Sequence, residues 1–190
     1  MDRPDTSHAD HILATHERLL QKWRKAMDLV GPGPVEPHFE DARGAVIGLP
    51  VEGEWADLGS GAGFPGIALA AFHPDAHIIL VESRQKRSIF LNKVVGEAKM
   101  TNIEVRCTRT ETLPDGSLNG VISRAYKPPL AFLEDAARLL RPGGHAVMML
   151  GDGAQVDVPN HWSEASRSRY AVADGFRERV VLVYQPQDTP

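Results

Sequence analysis

Short apolar runs alternate with helix-like segments along the chain from residue 54 onward. The runs have strand length, and the segments between them repeat apolar residues every three or four positions, which predicts strands separated by helices. Alternation of this kind is typical of a parallel, doubly wound α/β sheet. The predicted strands are 55–58, 77–82, 103–107, 120–123, 146–150 and 177–184, and the predicted helices are 66–72, 86–99 and 131–140.

The first 50 residues have a different pattern. Apolar residues recur at helical spacing from a cap at Ser7 to Val30, with Trp23 on the apolar stripe and therefore expected in the core. A Gly-Pro-Gly-Pro run ends this helix because proline cannot continue it, and a second helix is predicted over 35–49. A length of 190 residues suits one domain. We predict a single domain, 1–190, with a small N-terminal helical cap (1–50) and an α/β core (51–190).

A glycine-rich segment directly after the first predicted strand carries the strongest chemical signal. Residues 57–66 read DLGSGAGFPG, and Glu82 follows about one helix and one strand later. The glycines at 61, 63 and 66 spell G-x-G-x-x-G, which is the dinucleotide pattern and is weak when it stands alone. Pro65 removes a backbone donor that a pyrophosphate needs at a helix N-terminus, and the carboxylate of Asp57 repels phosphate. The segment therefore fits a dinucleotide poorly.

S-adenosylmethionine fits the segment better, because it carries an ammonium group and a ribose diol but no phosphate. In the pattern D-x-G-x-G-x-G, Asp57 faces the methionine amine and Glu82 accepts both ribose hydroxyls. Gly59, Gly61 and Gly63 let the backbone approach the ligand. One alternative is a glycine-rich turn that binds no ligand. Among the possible functions, a dinucleotide-dependent oxidoreductase ranks last.

Three segments are specific enough to indicate a family. They read ADLGSGAGFPGI at 56–67, ESRQKRSIFL at 82–91 and VISRAY at 121–126. Together they resemble the RsmG (GidB) family of 16S ribosomal RNA guanine-N7 methyltransferases. Further positions that match the family lie upstream: Lys22, Trp23, Asp28, Leu29, His38 and Asp41.

The resemblance implies a fold, a cofactor and a substrate. The fold is the class I (Rossmann-like) S-adenosylmethionine-dependent methyltransferase fold, with a mostly parallel seven-stranded sheet. The substrate is a guanine in 16S rRNA of the 30S subunit, at a site of the 530-loop type, and the product is 7-methylguanosine. The implied cofactor contacts come from Gly59, Phe64, Thr110, Glu111 and Arg124.

Arg124 is the residue to which we assign a catalytic role. It ends the fourth predicted strand, at the edge where open α/β sheets bind ligands. Its fixed fork of donors suits a phosphate, a base edge or the wall of the cofactor pocket. The alternative is a structural salt bridge. His38 and Asp41, one helical turn apart, are expected to form a structural pair.

The chain departs from the family pattern at three places. The family usually has a lysine after the fifth strand, where this chain has Leu150, and smaller polar residues where this chain has Lys127-Pro128-Pro129. The connection between Leu29 and His38 is also a few residues shorter than in the family. These departures fall on the substrate side of the resemblance. They leave open a diverged enzyme that methylates another RNA or a small molecule, and a noncatalytic protein that binds the cofactor or RNA.

The sequence shows no Ser/His/Asp order and no closely spaced pair of carboxylates for acid–base chemistry, which agrees with methylation at guanine N7. N7 has a lone pair and no proton, so the reaction needs alignment of nucleophile and methyl group rather than a general base. Methylation at carbon 5 of a pyrimidine needs a nucleophilic cysteine. The single cysteine, Cys107, is expected to be buried in the third strand and inert. Methylation of an exocyclic amino group uses an Asn/Asp-Pro-Pro-aromatic motif, and Lys127 lacks the acceptor that it requires.

The net charge is −4, which excludes nonspecific coating of nucleic acid but permits a local basic surface. Two stretches, 18–25 and 84–93, each contain four basic residues and no acidic residue. Lys86 and Arg87 start a predicted helix, where the helix dipole disfavours cations, so we assign them to RNA phosphates. A solvated helix face is the alternative. Arg177, which aligns with a family arginine, is the third assigned RNA contact.

Several further expectations complete the prediction. No apolar run reaches the roughly 18 residues of a membrane span and the N-terminus has no signal-peptide pattern, so we expect a cytoplasmic protein without a membrane partner. The eight histidines show no metal-ligand spacing, and no metal is expected. A monomer is expected.

Overall fold

The computed structural model of the protein describes residues 7–186. Within this part, the elements alternate as predicted once the N-terminal helices are passed. A short 3-10 turn, Thr110–Thr112, lies between the third and the fourth strand. The elements in chain order are α1 (Ser7–Met27), α2 (Glu36–Val46), β1 (Glu54–Leu58), α3 (Gly66–Phe72), β2 (His77–Val81), α4 (Gln85–Glu97), β3 (Ile103–Arg106), β4 (Leu118–Arg124), α5 (Pro129–Leu139), β5 (Leu140–Gly151), β6 (Trp162–Val172) and β7 (Gly175–Tyr184).

The strands form one seven-stranded sheet in the order β3-β2-β1-β4-β5-β7-β6. The first five strands are parallel, and β7 runs antiparallel to both β5 and β6. The chain winds outward from β1 in one direction and then returns to place β4 on the other side. Such a reversal opens a crevice at the carboxyl ends of the two central strands. The predicted doubly wound, mostly parallel sheet is confirmed.

Alternate residues of the central strands face opposite layers, because strand side chains alternate between the two faces. Trp55 and Ile78 pack with the helices α1 to α4, whereas Ala56 and Ile79 pack with α5. The predicted N-terminal helical cap, α1 and α2, lies in the first layer, where α1 contacts α3 and α4. Trp23 is half-buried against this core, as predicted.

The strand β6 is absent from the sequence-based prediction. Most of its residues are polar and exposed, and only its ends, Trp162 and Val172, are buried. Its strand conformation comes from hydrogen bonding to β7, which a local apolar pattern does not reveal. The strand β5 is twelve residues long rather than five, and its first residue, Leu140, pairs with Leu118 of β4. Predicted helix 35–49 is shorter, because Ile47 is already extended.

Cys107 corrects one expectation. The strand β3 ends at Arg106, one residue earlier than predicted, and Cys107 follows it as an exposed residue rather than a buried one. The third strand pairs only with β2 and forms one edge of the sheet, so its end is open to solvent.

No helix within residues 7–186 combines the length and the apolar character that crossing a membrane requires.

Candidate active site

Two cavities lie side by side at the carboxyl ends of the central strands. The smaller one has a volume of about 420 Å³ and lies beyond β1, β2 and β3. The larger one has a volume of about 560 Å³ and lies beyond β4 and β5, under α2. Ala125, the residue after β4, lines both. The crevice expected from the strand order therefore contains two adjoining compartments.

The glycine-rich loop after β1 forms one wall of the smaller cavity. The amides of Gly59 and Ser60 donate to the carbonyl of Val81, at 2.9 and 3.0 Å, which holds the loop against β2. Gly59 has φ +71°, and a Cβ there would lie 2.6 Å from the ring of Tyr126. A side chain at this position is therefore strained and would press on the cavity wall.

Glu82 lies at the rim of the smaller cavity with its carboxylate held in one orientation. Oε2 accepts the amide of Gly61 at 2.9 Å, and Oε1 accepts the amide of Arg84 at 2.7 Å. The residue is 5% exposed and lines the cavity. Each carboxylate oxygen has a second lone pair. Glu82 thus presents a preoriented acceptor pair, as a ribose diol requires.

The opposite wall of the smaller cavity comes from the segment after β3 and the end of β4. Thr110 and Glu111 line it, as does Tyr126, whose hydroxyl donates to Oγ1 of Thr110 at 2.8 Å. Arg84 and Arg109 also line the cavity. The structure therefore brings together four of the predicted cofactor residues: Gly59, Glu82, Thr110 and Glu111.

Asp57 lies beneath the loop rather than in either cavity lining. Its side chain is fully buried, and Oδ2 accepts the amide of Gly66, the first residue of α3, at 3.0 Å. Burial raises the pKa of Asp57 to about 7. Oδ1 has no partner among the described residues. Because a buried acceptor without a donor is costly, this oxygen leaves a place for a donor such as an ammonium group or a water. The predicted contact with the methionine amine stays a prediction.

Gly61, Gly63 and Phe64 continue the loop outside the cavity linings. Gly63 has φ +95°, a conformation that favours glycine. Phe64 is buried and packs against His16 and Phe39, with ring centroids 4.8 and 4.9 Å apart. These residues shape the loop, and their predicted contact with a cofactor is untested by this arrangement.

His16, on α1, fastens the helical cap to the glycine-rich loop. Its Nε2 donates to the carbonyl of Ala62 at 2.7 Å, so Nε2 carries a proton. Desolvation by burial lowers the pKa of His16 to about 4. His16 recurs at helical spacing with the apolar residues of α1, and this spacing does not reveal its hydrogen bond to the loop.

The buried His16 is expected to make stability depend on pH. Between its folded pKa of about 4 and its ordinary value of 6.5, only the unfolded chain binds the proton, so this contribution to stability falls as the pH falls. Asp57 acts in the opposite sense, because its pKa is raised. We therefore expect the difference in free energy of unfolding between wild type and His16→Gln to shrink by about 2 kcal/mol from pH 7 to about pH 4.5.

Urea denaturation at several pH values measures this difference, and Asp57 cancels because it is present in both proteins. A difference that does not change with pH would contradict the assignment of a neutral, buried His16.

Arg124 ends β4 and points into the larger cavity. Its Nη1 donates to Oδ2 of Asp41 at 3.3 Å and to Nδ1 of His38 at 3.4 Å. The guanidinium lies 4.7 Å from the ring centre of Phe64. Burial, and then the charge of Arg124, lower the pKa of His38, which keeps its ring an acceptor. His38 and Asp41 therefore converge on Arg124 and are not simply paired with each other.

The far side of the larger cavity is mostly apolar and carries two of the departures from the family pattern, at Leu150 and at Lys127. Phe132, Met148, Met149 and Leu150 line it. Lys127 also lines it and donates to Oδ2 of Asp135 on α5 at 2.7 Å. Sequence reasoning did not find Asp135, because a single acid on an amphipathic helix gives no signal of its partner.

The assigned RNA contacts lie in three different places. Arg177 lines the larger cavity, where Asp174 binds its guanidinium at 2.9 Å. Arg87 lines the smaller cavity and donates to the carbonyl of Asp28 at 2.8 Å. Lys86 is exposed at the start of α4, without a hydrogen bond or ion pair within residues 7–186. All three remain predictions.

The two basic stretches lie on helices that pack together, α1 and α4. Glu97, at the end of α4, binds Arg18 at 2.5 Å and Lys93 at 3.7 Å. The basic surface is therefore partly neutralised at this end. No group of acidic, histidine and cysteine side chains arranged to hold a metal ion occurs among the described residues.

Comparison with known proteins agrees with the geometry. The family model for GidB, rRNA small subunit methyltransferase G, matches residues 10–175. A ribosomal RNA small subunit methyltransferase G from Paracoccus denitrificans is 33% identical over 80% of this chain and 81% of its own. One from Halorhodospira halophila is 34% identical over 83% of this chain and 75% of its own.

A solved structure shows a similar fold. The crystal structure of a SAM dependent methyltransferase from Aquifex aeolicus matches with a TM-score of 0.61 and 15% identity, over 86% of this chain and 97% of that one. The predicted class I, Rossmann-like methyltransferase fold is confirmed. With the family model matching most of the chain, the protein belongs to the GidB family of rRNA small subunit methyltransferases.

Proposed function

We propose that the protein transfers a methyl group from S-adenosylmethionine to N7 of a guanine in 16S rRNA of the 30S subunit, at a site of the 530-loop type. The observation that carries the proposal is the pair of cavities that meet at Ala125. The smaller cavity offers Glu82 to a ribose, and the larger one offers Arg124 to a substrate. Two adjoining cavities of this kind suit a reaction in which the donor and the acceptor of a methyl group must lie next to each other.

The residues of the smaller cavity fit S-adenosylmethionine chemically. Glu82 presents acceptor oxygens, Thr110 and Glu111 form the wall beyond them, and Gly59 allows close approach of the backbone. The unpartnered Oδ1 of Asp57 leaves an acceptor below the loop. When bound, the cofactor supplies a methyl group on a sulfonium centre. No pyrophosphate-binding helix end is offered, because Asp57 already accepts from the first amide of α3.

The role of the larger cavity is to align the guanine with the methyl group of the cofactor. Guanine N7 carries no proton, so the protein need not supply a base and the gain comes from holding the nucleophile in place. Arg124 has two fork positions, Nε and Nη2, that make no hydrogen bond within residues 7–186. We assign these donors to the base edge or its phosphate. The apolar side, with Met148 and Leu150, covers the face of the base.

In this proposal, RNA beyond the target base contacts Lys86, Arg87 and Arg177. Lys86 is exposed, and the two arginines line the smaller and the larger cavity. A strand that crosses from one cavity to the other would meet all three. The single-domain organisation and the monomeric state remain proposals, as does action in the cytoplasm, where 30S subunits are found.

Transfer of labelled methyl groups from S-adenosylmethionine to unmodified 30S subunits tests the proposal. We expect label in 16S rRNA and chain cleavage at a single guanine after chemistry selective for 7-methylguanine. Label at no guanine would refute the proposal.

Arg124→Ala is expected to lower kcat/KM for 30S subunits about 20-fold, because a charged donor to the substrate is worth roughly 2 kcal/mol. Arg141→Ala is the matched control, since Arg141 is an exposed arginine at the opposite end of β5. Activity of the Arg124 variant within twofold of wild type would contradict the assigned role.

A second candidate is methyl transfer to another RNA or a small molecule. It is favoured by one observation, the apolar Leu150 in the larger cavity where the family usually has a lysine. Leu150→Lys discriminates between the two. A gain in methylation of 30S subunits favours the ribosomal substrate, and no gain favours the diverged one.

A further inference from the structure

Asp41 divides its two carboxylate oxygens between two partners. Oδ1 accepts from the hydroxyl of Tyr170 at 2.9 Å, and Oδ2 accepts from Nη1 of Arg124 at 3.3 Å. Asp41 is 7% exposed and lies on α2, whereas Tyr170 lies on β6 and Arg124 ends β4. Three segments that are distant in sequence thus meet in one short chain of hydrogen bonds.

Tyr170 is itself fixed by the contact between α2 and the hairpin of β6 and β7. Its ring covers Gly44, where a Cβ would lie 2.4 Å from Cδ2 of the ring. Beside it, Oε2 of Glu40 accepts the amide of Ala173 at 2.5 Å. Arg179 donates from Nη1 to the carbonyl of Ala45 at 2.9 Å. These contacts between α2 and the β6–β7 hairpin hold the hydroxyl of Tyr170 in place.

The direction of the hydrogen bonds along this chain is determined. Burial, and next the charge of Asp41, raise the pKa of the Tyr170 hydroxyl above its ordinary value, so it remains a donor. With Oδ1 occupied, the carboxylate of Asp41 cannot rotate without losing a buried hydrogen bond, which is costly. The plane of Asp41 then sets where Nη1 of Arg124 lies, at the wall of the larger cavity that Arg124 lines.

We infer that Tyr170 is a positioning residue for methyl transfer, acting through Asp41 to hold the guanidinium of Arg124. This inference rests on the proposed function, since Arg124 is the group that touches substrate there. The strand β6, which the sequence did not predict, thereby contributes a residue that orients Arg124.

The first test requires no substrate. Nitrogen-15 relaxation of the Arg124 Nε–H group reports how well the side chain is held. We expect this order to fall in Tyr170→Phe, which removes one hydroxyl and leaves the ring over Gly44. Glu40→Ala is the matched control, because it releases Ala173 of the same hairpin without touching Asp41.

The second test is a double-mutant cycle with 30S subunits. Tyr170→Phe is expected to lower kcat about fivefold in the wild-type background and less than twofold in the Arg124→Ala background, because coupled residues are not additive. The Kd for S-adenosylmethionine is expected to stay within twofold, since Tyr170 does not line the smaller cavity.

The results separate the inference from the proposed function. Unchanged order of Arg124 in Tyr170→Phe, an equal kcat loss in both backgrounds, or the same loss of order in Glu40→Ala would overturn the inference. Reduced order of Arg124 in Tyr170→Phe alone would support it even if the wild type methylated no guanine, an outcome that would refute only the proposed function.

Discussion

Glu82→Ala is expected to weaken binding of S-adenosylmethionine about 100-fold while the chain still folds. The variant loses an acceptor for two ribose hydroxyls, and hydrogen bonds to a charged group are worth about 1.5 to 3 kcal/mol each, so a loss of roughly 3 kcal/mol corresponds to about 100-fold in Kd. Part of the effect comes from the loop, because the amides of Gly61 and Arg84 lose their acceptors as well. Isothermal titration calorimetry measures the Kd.

Two further variants locate the cause of this loss. Glu82→Gln keeps one acceptor oxygen and is expected to fall between wild type and Glu82→Ala. Glu104→Ala removes an exposed carboxylate from the neighbouring strand β3 and is expected to leave the Kd unchanged. A Kd for Glu82→Ala within threefold of wild type would remove Glu82 from the cofactor site.

Gly120→Ala is expected to lower the free energy of unfolding by about 3 kcal/mol, at the upper end of the usual cost of overpacking a core. A Cβ at this position on β4 would lie 2.2 to 2.4 Å from three ring atoms of Trp55. Trp55 is 1% exposed and stacks on His145, so its ring has little room to move. The substitution therefore forces apart β1 and β4, the two strands whose ends carry the site.

Urea denaturation of Gly120→Ala measures the loss of unfolding free energy, and two further variants test whether steric overlap causes it. Gly96→Ala, on α4 with no neighbour within 4 Å of the added Cβ, is expected to gain up to about 1 kcal/mol through helix propensity. Trp55→Leu in the Gly120→Ala background is expected to recover part of the stability that steric overlap removed. An unfolding free energy of Gly120→Ala equal to that of wild type would contradict the close packing at this position.

The local sequence predicts the central elements well where their pattern is unambiguous. The helix α3 has the predicted bounds, 66–72, because a glycine-rich turn precedes it and a short apolar run fills it. Strands β1 and β2 differ from prediction by one residue each, since buried parallel strands read as continuous apolar runs. The strand β6 escaped prediction because its polar sequence becomes a strand only when β7 lies beside it.

The residues of the site likewise divide into those whose position the sequence predicts and those whose position it does not. Four of the predicted cofactor residues, Gly59, Glu82, Thr110 and Glu111, line one cavity. Gly59 and Glu82 follow directly after β1 and β2, the other two lie in the turn after β3, and parallel strand ends share one edge. Asp57, which precedes the loop, lies buried below it and accepts from α3 through Oδ2, and its contact with the methionine amine stays a prediction. Spacing alone does not distinguish a side chain that points outward from one that points into the layer of helices.

The sequence by itself determined the alternation of strands and helices, the glycine-rich turn and the family, because these depend on residues close together in the chain. The tertiary structure alone decided what holds Arg124. Asp41 lies 83 residues before it, and Tyr170 lies 129 residues after Asp41. No local pattern encodes such a meeting. It arises because the antiparallel hairpin of β6 and β7 packs against α2, so that the hydroxyl of Tyr170 reaches the carboxylate of Asp41 in the wall of the larger cavity.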